Sequence, residues 1–69
     1  MNKLKIQILS VPHREKLVAE IQYEHNVIAE INHDNENFEI EVFSYDHPIA
    51  ISLDDFIKVI GEAKMELLK

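Results

Sequence analysis

Along the first two thirds of the chain, apolar residues recur at every second position. Leu4, Ile6 and Ile8 alternate with Lys3, Lys5 and Gln7, the period of a strand with one buried face. Leu17, Ala19, Ile21 and Tyr23 resume that alternation against Lys16, Glu20 and Gln22. Val27, Ala29 and Ile31 flank Glu30 and Asn32, and Phe38, Ile40 and Val42 flank Glu39 and Glu41. The pattern predicts strands near residues 3–9, 16–23, 27–33 and 37–45. Between the first two lies Ser10-Val11-Pro12-His13-Arg14-Glu15, where a proline without a ladder donor marks a loop or edge bulge.

After Pro48 the period changes. Leu53, Phe56, Ile57, Ile60, Ala63, Leu67 and Leu68 recur at three- and four-residue steps, which predicts an amphipathic helix near 53–68 with Val59 and Met65 flanking its apolar stripe. Ser52 followed by Asp55 resembles a capping box with aspartate in place of glutamate, and Asp54 and Asp55 suit the positive end of the helix dipole. Gly61 costs such a helix up to ~1 kcal/mol relative to alanine, which suggests a close approach to the sheet. Short connections favour antiparallel neighbours, because parallel pairing needs a long crossover. The expectation is a single α+β domain over 1–69, a four-stranded antiparallel meander with one C-terminal helix packed on one face and water on the other.

Register turns this pattern into a surface. A hairpin pairing Tyr23 with Val27 across Glu24, His25 and Asn26, with Asn26 left-handed, sets Glu20 opposite Glu30. A second hairpin turning at Asp34-Asn35 pairs His33 with Glu36 and sets Glu30 opposite Glu39. Glu20, Glu30 and Glu39 then form a carboxylate row, extended by Glu41, beside outward-pointing Val18, Ile28, Phe43 and Tyr45. Opposed like charges destabilise a sheet, and a basic partner would relieve them. The plainer reading is a solvated face whose glutamates are partly neutralised by Lys5 or Lys16. The expected partner-binding set is Glu20, Glu30, Glu39 and Glu41 as the electrostatic part, with Ile28, Phe43 and Tyr45 as apolar anchors.

Composition narrows the partner. The 69 residues are 46% hydrophobic and include no cysteine, so one core must supply stability without disulfides or thiolate metal sites. Thirteen acidic residues against seven basic ones give a formal charge of −6, which disfavours nucleic acid and anionic membrane and favours a basic protein. No segment has the continuous apolar run of a signal peptide or membrane span. His13, His25, His33 and His47 fall in turns and form at most pairs at either end of the sheet, without ligand spacing. Ser10, Ser44 and Ser52 belong to no nucleophile motif, and one glycine cannot build a phosphate loop. No catalytic residue, cofactor or metal ligand is assigned, and an enzyme is not expected.

The run Ser10-Val11-Pro12-His13-Arg14-Glu15-Lys16-Leu17-Val18-Ala19-Glu20-Ile21, with Ile28-Ala29-Glu30-Ile31, Phe38-Glu39-Ile40-Glu41-Val42, Leu53-Asp54-Asp55-Phe56 and Glu62-Ala63-Lys64, resembles small bacterial proteins encoded beside polymorphic toxins. Those are immunity proteins of contact-dependent growth inhibition systems. The resemblance implies a cytoplasmic protein that binds one cognate toxin domain, often a basic nuclease, and neutralises it without touching nucleic acid or membrane itself. The protein is expected to be a monomer or a weak homo-oligomer, and the competing expectation is a small structural or regulatory protein acting through self-association.

Overall fold

The computed structural model describes residues 3–69. The alternating segments form β1 (Leu4–Leu9), β2 (Val18–Tyr23), β3 (Asn26–Asn32) and β4 (Glu39–Val42), and the segment of helical period forms α1 (Leu53–Leu67). The strands pair antiparallel in chain order, β1-β2-β3-β4, so the α+β meander legible in the sequence is the observed fold. Two rungs cross the whole sheet on the helix side: Ile6, Ile21, Ala29 and Val42 form one, and Ile8, Ala19, Ile31 and Ile40 the other.

The helix begins where its capping residues place it. Ser52 Oγ accepts the Asp55 N–H at 3.4 Å, and Asp54 and Asp55 occupy the first turn. Its buried residues are Val59, Ala63 and Leu67, with Phe56 and Ile60 packed half-buried beside them. Val59 is therefore core and does not flank the stripe, while Leu53, Ile57 and Leu68 are exposed. At about 100° per residue the two sets occupy adjacent arcs of the helix, and only one arc can face a sheet. Gly61 is exposed, and a Cβ there would meet nothing within 4 Å, so it does not serve a close approach to the sheet.

Both hairpins differ from the simplest register. Tyr23 pairs with Asn26, leaving Glu24-His25 as the turn, and the left-handed residue is Glu24, at φ 58°, where Asn26 was expected. A bulge between Ile21 and Gln22 restores the Glu20–Glu30 pairing and gives β3 one extra residue. That irregularity breaks strict alternation, and Ile28 is consequently a buried member of the core and does not point outward. In the second hairpin Glu30 lies opposite Glu41 and Asn32 opposite Glu39, two positions from the expected pairing of Glu30 with Glu39. Asp34 is drawn away from a tight turn because its carboxylate accepts the backbone N–H groups of Glu15 and Lys16, at 3.3 and 3.1 Å. A shift of two keeps every side chain on its expected face.

The face opposite the helix is not simply open to water. The connection after β1 folds back toward it, held by the Asp34 bonds and by Arg14. Val18, expected outward and solvated, is fully buried at 0% exposure, and Asn32 and Glu30 on the same face are buried too. Leu17, expected in the core, is exposed. Just before β4 begins, Phe38 packs against the core, stacks on His33 with centroids 5.0 Å apart, and has Lys64 Nζ 5.2 Å from its ring centroid.

Candidate functional site

The expected site residues fall into two places. Gln7, Glu20, Glu30 and Glu41 form one rung of the face opposite the helix, so the carboxylate row exists with Glu41, not Glu39, as its third acid. Like charges on adjacent strands repel, and the chain answers this internally. Arg14 Nε donates to Glu30 Oε2 at 3.1 Å, and Arg14 Nη2 lies 3.8 Å from Glu41 Oε1. The neutralising cation is thus Arg14, where Lys5 or Lys16 had been expected. The Gln22 amide, 2.9 Å from Gln7 Oε1, also reaches Glu20 Oε1 at 3.4 Å. Glu39 lies two residue pairs further along, opposite Asn32, and accepts from Asn35 Nδ2 at 3.2 Å. Glu30, at the centre of the row, is thus buried and paired internally by Arg14, while Glu41 and Glu39 on β4 stay exposed.

Ile28, Phe43 and Tyr45 come together elsewhere. With Val42, Leu53 and Phe56 they line a groove of about 660 Å³ on the helix side of the sheet, between the β4 end and the start of α1. Its cause is the placement of the helix, which packs on β1, β2 and β3 and, among the described residues, makes no contact with β4. The β4 members of the two apolar rungs are therefore uncovered: Val42 is 68% exposed, and Ile40 is exposed beside it. Across the groove Leu53 is 70% exposed, and Ile57 follows it one turn along. Phe43 N–H donates to the Ile28 carbonyl at 3.0 Å, and the Tyr45 hydroxyl donates to the Val27 carbonyl, which ties the segment after β4 to β3 and fixes one wall.

The groove has one sign of charge. Among the described residues lining it, Asp46 is acidic, His47 is the one titratable imidazole, and none is lysine or arginine. Asp54 and Asp55 follow directly on Leu53, and Glu39 and Glu41 alternate with the uncovered Ile40 and Val42. An apolar floor with acidic surroundings suits an apolar side chain flanked by cations. Among the described residues no three histidine, aspartate or glutamate side chains converge as metal ligands would. The exposure of Val42, Leu53, Ile57 and Ile40 was not legible in the sequence, because periodicity placed all four, strand and helix alike, toward a core. Their exposure follows from how far the helix reaches across the sheet. Comparison with family models, curated proteins and solved structures gave no match.

Proposed function

We propose that the chain is a protein-binding module of the immunity type, which holds a basic toxin domain in the groove between β4 and α1 and so neutralises it. The observation that carries this reading is the uncovered apolar groove, with Val42 and Leu53 more than two-thirds exposed and no basic residue among its described lining. Exposed apolar patches of this kind mark interaction surfaces, and the formal charge of −6 steers a cationic partner toward them. The short motifs that resemble immunity proteins supply the class of partner. In this reading the protein works in the cytoplasm as an inhibitor, not a catalyst; no described helix is long and apolar enough to cross a membrane.

Co-expression with the product of the gene immediately upstream tests the reading. The expected result is growth protection, co-purification, and an association rate that falls as salt rises. Absence of both protection and complex formation overturns it. Self-association is the second reading, favoured by Leu53, Ile57, Met65 and Leu68, which are exposed along one helix beside an unobstructed Gly61. Light scattering at high concentration separates the two, since a stable dimer of the isolated chain supports self-association.

A further inference from the structure

We propose that the partner docks by adding a strand to the open edge of β4, an extended segment that alternates apolar residues on the helix side with basic residues on the other. This rests on the groove being the binding surface, and it specifies the backbone geometry of the occupant.

Three observations converge on a strand. First, β4 is the last strand of the sheet, so among the described residues one of its edges has no strand neighbour. The Phe43 N–H bond to the Ile28 carbonyl makes Ile28 and Phe43 a directly hydrogen-bonded pair. By antiparallel alternation Glu41 and Glu39 bond toward β3, while the N–H and C=O groups of Ile40 and Val42 point to the open edge. Second, the side chains of these same two residues are exposed on the helix side. Third, Leu53 and Ile57 on the helix are uncovered as well. A fifth strand satisfies the backbone groups of Ile40 and Val42 and sets its own apolar side chains beside theirs, next to the groove that Val42 and Leu53 line.

Charge selects the occupant. Each copy of this chain carries −6, and β4 is acidic on its outer face. Two copies paired about Glu41 would oppose Glu41 to itself, and paired about Ile40 they would oppose Glu39 to Glu41 twice. Pairing about Val42 avoids this but sets Ile40 against Ser44, beyond the end of the strand. A strand with lysine or arginine opposite Glu39 and Glu41 gains cross-strand pairs in place of repulsion. The β1 edge is a poorer acceptor for the same segment, because Lys3 and Lys5 stand along it.

The test uses a synthetic peptide of about six residues alternating valine and lysine, the length of an ordinary strand. It is titrated into the full chain, with hydrogen exchange of the Ile40 and Val42 amides as readout. The informative substitution is Val42→Pro: proline is tolerated on an edge strand, and the lost N–H serves no bond to β3. Val42→Asp and a peptide alternating valine and glutamate serve as controls. The expected result is protection of both amides by the valine–lysine peptide, no binding of the valine–glutamate peptide, and binding about tenfold weaker in Val42→Pro with the helical signal unchanged. Binding lost in Val42→Asp but kept in Val42→Pro overturns strand addition and leaves the groove reading standing. Binding unaffected by either substitution, or no binding at millimolar peptide, overturns both. Protection of the two amides in the isolated chain at high concentration, with a dimer by light scattering, assigns the edge to a second copy and overturns the basic partner.

Discussion

Arg14, in the connection after β1, donates through Nε to the buried carboxylate of Glu30 at 3.1 Å, with the two residues 16 positions apart in sequence. The side chains are 22% and 6% exposed, so the pair is well shielded from solvent. Removing the guanidinium leaves Glu30 buried beside Glu20 and Glu41 without a cation. Arg14→Ala is expected to lower stability by about 2–3 kcal/mol in urea unfolding, at or just below the lower limit for a broken buried pair because the Arg14 side chain is 22% exposed. Arg14→Lys should recover only part, because an ammonium cannot span Glu30 and Glu41 as the guanidinium fork does. A loss below about 0.5 kcal/mol, the level of an exposed pair, would show that the network is solvated.

Gly61 occupies an exposed helical position with open space around its Cα. Gly61→Ala removes backbone entropy from the unfolded chain and adds no clash, so a gain of about 0.5–1 kcal/mol is expected. In a domain of this size that corresponds to a melting point higher by roughly 2–8 °C. A lower melting point would reveal a neighbour that the free chain does not show.

The exposed groove residues should tolerate charge. Val42→Asp and Leu53→Asp are each expected to change stability by no more than about 0.5 kcal/mol, in the range of ordinary surface substitutions. Ile21→Ala, on the same rung as Val42 but fully buried, should cost about 2–5 kcal/mol. Chemical denaturation of the three variants checks the contrast, and a large loss in Val42→Asp would mean that the groove is closed in solution.

Lys3 titrates above its ordinary range, chiefly because its ammonium donates to the Glu24 carboxylate at 3.2 Å and secondarily because of that carboxylate's charge. A group raised on folding contributes stability that is complete below its unfolded value and disappears as pH rises through its folded value. The Lys3–Glu24 contribution should therefore hold at neutral pH and vanish above the lysine range. The exposure of both side chains keeps it small. Melting curves of the wild type and Lys3→Met should differ slightly at neutral pH and converge at strongly alkaline pH; a difference that persists there would mark an apolar contact of the lysine stem.

The sequence displayed the strand and helix periods, the Ser52 cap and the chain-order meander because each is a local property. The bulge was hidden because Val27, Ile28 and Ala29 are consecutive apolar residues compatible with either phase of a strand. The shift of β4 was hidden because Asp34-Asn35 reads as a turn, while the bonds that redirect Asp34 come from Glu15 and Lys16. Arg14 lay in a loop with no local sign that it would reach Glu30 and Glu41. Ile28, Phe43 and Tyr45 were read as outward-pointing anchors beside the carboxylate row; that they line one groove was hidden, since the absence of helix cover over β4 depends on the lateral placement of α1 and leaves no trace in periodicity.

The most direct measurement is the dissociation constant of the chain with the protein encoded immediately upstream, compared for the wild type, the Val42→Asp/Leu53→Asp double variant and Glu20→Gln. Binding should weaken at least about tenfold in the double variant, as expected for apolar anchors at the centre of an interface, and change less than about twofold in Glu20→Gln. Equal affinity of the wild type and the double variant would contradict the groove as the binding surface.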